Sequence, residues 1–409
     1  MSAVDAVTRR LVFRGLERLQ GGMVVLRWPD GRGRRFGDGS GRPIVVDVRR
    51  PQALWGKLGR RTRVGFGEAY VDGDWDCDDL VGLLSLLGRN LHGAVDRPLV
   101  RAVHAVQRLR PDPSQRQTAA VARDNIHAHY DLGNDLFALM LDPTMTYSCA
   151  YWERPGMTLV EAQLAKLTRV CEKLRLGPDD HLLEIGCGWG GLAVHAARET
   201  GCRVTGLTIS PSQAALARER VTAAGLDGRV EIVERDYREL EGSFSRIASI
   251  EMIEAIGHAE YPVYFRAIDR LLAPDGIALV QAIGVPDERY ERYRRTPNWI
   301  QQYVFPGSLL PSLEALAAAV ARTRLMILGV EEIGIGYAPT LRVWRENIER
   351  HAEALHALGY DERFMRIWRF YLSFCEAGFA IRVLRDMQLV LSRPLNDTLP
   401  ATPDLRRSY

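Results

Sequence analysis

The chain has 409 residues, 46% of them hydrophobic, and a formal net charge of +3 at neutral pH. That length exceeds one ordinary domain, the apolar content is that of a globular protein, and so small a charge gives no reason to expect nucleic acid as a partner. Six cysteines, at 77, 149, 171, 187, 202 and 375, form no C-x-x-C pair and no zinc-like spacing, which predicts a reduced protein without a metal site.

No apolar run reaches the roughly 18 residues that a membrane-spanning helix needs. Asp5, Arg9 and Arg10 stand where a signal peptide would need its apolar stretch, so the expected location is the cytoplasm. Two basic clusters, Arg9, Arg10, Arg14 and Arg18, then Arg289, Arg292, Arg294 and Arg295, leave two readings open. They form either a surface drawn to anionic lipid headgroups, which would bring the protein to the inner face of the membrane, or solvated helix faces.

In chain order, helical spacing of apolar residues predicts a helix over 4 to 19, followed by a strand over 23 to 28 and a turn at Asp30-Gly31-Arg32-Gly33. Residues 1 to 110 thus read as a small α/β domain, with lipid or membrane docking or a dimer contact as its expected role. The proline-rich, polar stretch around Pro111-Asp112-Pro113 marks a linker over 111 to 120, and 121 to 409 is the expected catalytic domain. There, strands at 181 to 185, 203 to 208, 229 to 233, 246 to 250 and 276 to 283 alternate with helices at 191 to 199, 211 to 224 and 260 to 272. Such alternation predicts an α/β fold with a parallel, doubly wound sheet. The last third, with Trp344, Trp368, Phe370, Tyr371, Phe374 and Phe379, reads as aromatic-rich core helix.

The first predicted strand of that sheet runs into Glu184-Ile185-Gly186-Cys187-Gly188-Trp189-Gly190-Gly191, a turn whose bare backbone can hold a nucleotide-like cofactor or can merely join strand to helix. Its spacing, E-x-G-x-G-x-G-G, resembles the first motif of S-adenosylmethionine-dependent methyltransferases with a Rossmann-like sheet. The second strand ends in Gly206-Leu207-Thr208-Ile209-Ser210 and is followed by Gln213, without the usual ribose-binding acid. Ser210 and Pro211 also suit the N-cap and first positions of a helix.

Several segments together resemble the cyclopropane fatty acid synthase and mycolic acid methyltransferase family, in its Gln-x-Ile subgroup. They are His129-Tyr130-Asp131 with Asn134-Asp135, the run Met145 to Trp152, Asp236-Tyr237-Arg238, Ser249 to His258, Trp299 to Gly307, and Gly65 to Trp75. The resemblance implies a class I methyltransferase sheet with helical lipid-binding insertions. It further implies S-adenosylmethionine as cofactor, held by Tyr147, Ser148, Glu184, Gly186, Gly188, Gly190, Thr208, Ser210, Gln213, Asp236 and Tyr237. A bound bicarbonate, as base, is implied beside Cys149, Glu254, Gln281, Ile283 and Tyr337, with Tyr303 also in the catalytic set. Gln281 departs from the more familiar histidine, and a glutamine can donate to an anion but cannot take up a proton near neutral pH.

The chemistry suits these residue types. A cis double bond is a weak nucleophile that needs in-line positioning in a dry pocket, and the resulting carbocation must lose a proton from the added methyl group. A nucleophilic Cys149 is not required, and a lone cysteine is usually a small buried apolar residue. Glu254 sits among Met252, Ile253 and Ile256 and reads as buried, whereas Glu251 and His258 read as local caps or pairing residues.

The implied reaction is methyl transfer to the cis double bond of an unsaturated phospholipid acyl chain at the membrane surface, closing a cyclopropane ring. The alternative ends in a 10-methylene chain, a precursor of methyl-branched, tuberculostearic-type lipids that would need a reductase partner. A lipid-binding module without catalysis and a methyltransferase acting on oxygen or nitrogen are the readings from other classes, and a homodimer is compatible with either domain reading.

Overall fold

The computed structural model describes residues 3 to 296, except 94 to 132, and 298 to 399. The expected linker and the His129-Tyr130-Asp131 triplet lie outside the described residues. The chain divides into two compact units: Met1–Pro113 with Glu291–Pro306 and Gly334–Arg385, and Ser114–Tyr290 with Gly307–Ile333 and Asp386–Tyr409. The stretch expected as one catalytic domain therefore contributes to both.

The first unit holds four strands, β1 (Met23–Arg27), β2 (Gly33–Gly37), β3 (Ile44–Val48) and β4 (Trp75–Cys77), in the order β2-β1-β3-β4. The predicted turn joins β1 to β2 as an antiparallel pair, with Gly31 at φ +79°, a left-handed conformation that glycine adopts readily. The aromatic helix Glu362–Ala380 packs on Pro51–Val71, Leu80–Gly93 and Tyr337–Arg350. Trp344, Trp368, Phe370, Tyr371 and Phe379 are buried as expected, but Phe374 is 43% exposed. Phe66 stacks on Trp75 with ring centroids 4.5 Å apart. Gly67 leaves room there: a Cβ would lie 2.6 Å from the Trp299 ring.

In the second unit, β5 (His181–Ile185), β6 (Arg203–Thr208), β7 (Val230–Glu234), β8 (Phe244–Ile250), β9 (Leu272–Gly284), β10 (Met326–Glu332) and β11 (Arg385–Ser392) form one sheet in the order β10-β11-β9-β8-β5-β6-β7. The pairs β5/β6, β5/β8, β6/β7 and β8/β9 are parallel, as the alternation of strands and helices predicts. The edge pair β10/β11 is antiparallel and was not legible in the sequence. Strand order reverses beside β5, so the carboxyl ends of β5, β6 and β8 face the crevice in which open α/β sheets bind ligands. Apolar side chains such as Leu182, Val204, Ala193, Ala217 and Leu279 fill the core under the helices.

Candidate active site

Glu184 is the penultimate residue of β5 and is 3% exposed, with Oε2 lacking any partner. Burial pushes its carboxyl up to about 8, against the opposing pull of Lys166. The turn that follows is tied to β6 by hydrogen bonds from the Gly186 and Cys187 N–H groups to the Leu207 carbonyl, at 3.0 and 2.8 Å. Gly186, Gly188 and Gly190 all have positive φ, at +83°, +51° and +78°. A Cβ on Gly186 would lie 2.8 Å from Met252 Cγ, whereas one on Gly188 would enter open space. Gly190 caps the helix Gly191–Thr200, and the Ala193 N–H of its first turn donates to the Glu184 carboxyl.

Around this turn the remaining cofactor candidates from the sequence are ordered by short contacts. Thr208 donates its hydroxyl to Gln213 Oε1 at 2.9 Å, which leaves the Gln213 amide hydrogens as donors. Ser210 caps the helix Pro211–Ala223, accepting from the Gln213 N–H, so the capping reading holds as well. Asp236 is gripped by Arg238, from its backbone N–H, Nε and Nη2, each at 2.9 Å. The Tyr237 hydroxyl is buried without a partner, and burial raises its pKa. Asn134 accepts from the Trp189 indole at 2.9 Å, and Phe137 lies 4.8 Å from that ring and 5.3 Å from Tyr147. These contacts tie both signature segments to the glycine turn. The bare turn, the partnerless Glu184 oxygen and the unused Gln213 donors fit S-adenosylmethionine: a carboxylate for its amino group, and bare backbone for its methionine part.

A second cluster lies where β8 ends beside β9 and β11. Glu254, 8% exposed, accepts from the Ile283 N–H at Oε1, while Oε2 has no partner. Burial, and then the nearby Glu251 charge, push the Glu254 carboxyl up to about 8. Gln281 is fully buried and every atom of its amide is engaged: Nε2 donates to Glu251 Oε1 and Asp386 Oδ2, each at 2.8 Å, and Oε1 accepts from Gln388 at 3.0 Å. The Cys149 N–H donates to Glu251 Oε1 at 2.8 Å. Burial raises the Cys149 thiol well above its ordinary range, which removes the thiolate that a nucleophile would need.

The donors expected to hold bicarbonate are thus already occupied. Cys149 and Gln281 serve Glu251 and Asp386, and Ile283 serves Glu254. The residues present do not fit an added anion at those positions, because the donors that would hold it are taken by Glu251, Asp386 and Glu254.

The two tyrosines of the expected set belong to the first unit. Tyr303 donates its hydroxyl to Glu68 at 2.6 Å. Burial and that bond push its pKa up to about 12. Tyr337 is buried, stacked on Phe379 at 4.5 Å and edge-on to Trp344 at 6.0 Å.

Three polar residues of the second cluster escaped the sequence reading of the site. Asp386 is fully buried, with Oδ1 partnerless, and burial together with the Glu251 and Glu254 charges raises its pKa far above the usual range. Lys166, 1% exposed, donates to the Ser148 hydroxyl at 2.8 Å and is the buried cation facing Glu184, Glu251 and Asp386. Its signal was present: Lys166 lies four residues after Ala162 and four before Val170 on the buried face of the helix Leu159–Leu174. Glu251, expected as a local pairing residue, does pair, but across strands and into this cluster.

Comparison with known proteins identifies the family. A family profile described as mycolic acid cyclopropane synthetase matches residues 117–389. The chain is 39% identical over 407 residues to the tuberculostearic acid methyltransferase UfaA1 of Mycobacterium tuberculosis, covering 96% of this chain and 92% of that one. It is 37% identical over 359 residues to the cyclopropane-fatty-acyl-phospholipid synthase of Escherichia coli, covering 87% and 90%. Among solved structures, mycolic acid cyclopropane synthase CmaA1, complexed with SAH and CTAB, aligns with a TM-score of 0.62 at 32% identity, over 66% of this chain and 98% of that one. The chain therefore belongs to the mycolic acid cyclopropane synthetase family and is an S-adenosylmethionine-dependent methyltransferase with the class I sheet.

Proposed function

We propose that this enzyme transfers the methyl group of S-adenosylmethionine to the cis double bond of an unsaturated phospholipid acyl chain and closes a cyclopropane ring. What supports the reading is a glycine turn with the partnerless Glu184 oxygen at the end of β5 and, at the end of the adjacent parallel strand β8, the buried Glu254 carboxyl with the half-buried Glu251 close by. S-adenosylmethionine supplies an electrophilic methyl group when bound there. Glu184 would hold its amino group, and Gly186, Gly188 and Gly190 its methionine backbone. Burial keeps stray water from a cation on the acyl chain.

One observation favours a second product. The tuberculostearic acid methyltransferase matches almost the whole chain at 39% identity, against 87% coverage at 37% for the cyclopropane synthase. In that reading the same methyl transfer ends in a 10-methylene chain, which a separate reductase would convert to the methyl-branched lipid. Ring and methylene are isomers, so mass does not distinguish them. Proton NMR of lipids from cells producing the protein does: high-field cyclopropyl signals support the first reading, vinylidene signals the second, and neither signal overturns both.

A lipid substrate requires access to a membrane from the water side. No helix among the described residues is long and apolar enough to cross one. Arg9, Arg10, Arg14 and Arg18 are exposed, consistent with attraction to anionic headgroups at the cytoplasmic face. Sedimentation with anionic and neutral vesicles tests that docking.

A further inference from the structure

Glu251 follows the last residue of β8, and its backbone is held at φ +50°. That left-handed conformation is unfavourable for a residue with a side chain and costs glycine almost nothing. Strain of this kind collects where a particular side chain is needed at a particular point. The side chain it delivers here is a carboxylate whose Oε1 takes two donors at once, the Cys149 N–H and the Gln281 amide, each at 2.8 Å.

Gln281 cannot turn away from this task. Its Oε1 accepts from Gln388, whose own Oε1 accepts from Lys173 at 2.6 Å, so the hydrogen-bond chain fixes Nε2 as the end facing Glu251 and Asp386. Two oxygens beside this pair belong to buried side chains and have no partner, Glu254 Oε2 and Asp386 Oδ1. Buried carboxyl oxygens left unpaired are costly unless a ligand or a proton meets them.

We infer that the Glu251 carboxylate, held by Cys149 and Gln281 where an inorganic anion was expected, is the general base of this enzyme. The inference rests on the proposed methyl transfer to an alkene. The alkene electron pair forms a bond to the methyl carbon as the carbon–sulfur bond breaks, its electrons remaining on sulfur, and a cation is left on the acyl chain. A C–H bond of the added methyl then breaks: its electron pair closes the ring and its proton passes to Glu251, to be released to water after the product leaves. For the methylene product a hydride shift comes first, and the same pair forms the new double bond. Burial and its acidic neighbours raise the Asp386 carboxyl well above its ordinary range, so Asp386 holds its own proton and is not the group that accepts one from the substrate.

The test is Glu251→Gly, which relieves the backbone strain and frees both donors, with Glu251→Gln as the control that keeps them covered. Wild type should be indifferent to removal of carbon dioxide and bicarbonate. Both variants should lose about a hundredfold or more in turnover, the range for loss of a general base. Added bicarbonate or formate should restore at least tenfold in Glu251→Gly and nothing in Glu251→Gln. Carbon-13 NMR with labelled bicarbonate should show binding to Glu251→Gly and none to wild type, with cofactor affinity confirming that each variant is folded. A wild type that needs or binds bicarbonate overturns the inference. So does a cofactor-binding Glu251→Gly that stays active without an added anion, or that no small anion restores. The bicarbonate-binding measurement does not depend on lipid turnover, so a failure of the methyl-transfer reading would appear separately, as the absence of either lipid product.

Discussion

The Lys166 ammonium group donates to the Ser148 hydroxyl at 2.8 Å, and neither side chain is more than 3% exposed. Burial disfavours the charge on a lysine in such a place, and the groups around it that favour the charge are Glu251, the Cys149 thiol, Asp386 and Glu184. Burial lowers its pKa while those groups raise it.

Lys166→Met keeps the volume and removes the charge. The carboxyls it opposes should then hold their protons to higher pH, so the acid limb of the pH–rate profile should move upward by about one unit, in the range of a close charge partner. Lys166→Arg should restore most of the limb's position. A profile unmoved in Lys166→Met would mean that the lysine only fills space.

Gly188 separates cofactor binding from folding better than its neighbours. Its φ of +51° and the open space on its Cβ side mean that Gly188→Ala strains the backbone by about 1 to 2 kcal/mol without a clash. Gly188→Val should fold with a lowered melting temperature and lose S-adenosylmethionine binding beyond detection, with Gly188→Ala intermediate. Gly186→Ala, whose Cβ meets Met252 Cγ at 2.8 Å, should lose stability and binding together. Titration calorimetry beside thermal melts checks all three.

The parallel strands were legible because each was a short apolar run closed by a turn: β5 and β6 fall at the expected residues, and β7 to β9 within a few positions. The edge pair was not. β10 alternates poorly and is largely exposed, and β11 follows directly on the aromatic helix with no proline or glycine between them to mark the change. That loss hid Asp386, whose partner Gln281 is 105 residues away. Glu251 escaped for a different reason: its importance lies in a positive φ and in donors from two distant segments, neither of which shows in a local pattern. The cofactor turn, by contrast, is written in consecutive residues and needed no distant partner to be recognised.

In the first unit, Arg366 is 8% exposed and lies 4.2 Å over the Tyr70 ring. It donates to the Tyr70 and Trp75 carbonyls at 2.8 and 3.2 Å and to Asp76 at 3.0 Å. Arg366→Met should cost about 3 kcal/mol, since removal of one partner strands buried acceptors. The unfolding midpoint in urea should fall accordingly, and Arg366→Lys should recover little because one ammonium cannot serve three divergent acceptors.

Glu184 and Glu254 both titrate near 8 in the folded chain because burial disfavours their charged forms. In the unfolded chain each would titrate near 4.3. The folded state therefore binds more protons than the unfolded state between those limits, and stability must fall as pH rises through that window. The slope is at most about 1.4 kcal/mol per pH unit for each carboxyl. The cofactor-free enzyme should accordingly melt higher at pH 6 than at pH 8.5. Cofactor binding should run the other way. A cationic amino group beside Glu184 favours the ionised carboxylate, so binding at pH 7 should release up to one proton, and affinity should rise with pH until Glu184 is ionised. Calorimetry in two buffers of different ionisation enthalpy reads that release directly. Glu184→Gln should abolish it and flatten the pH dependence of affinity, while Glu254→Gln should leave both in place. Proton release that survives Glu184→Gln would assign the linkage to another acid of the cluster and remove Glu184 from the cofactor's amino group.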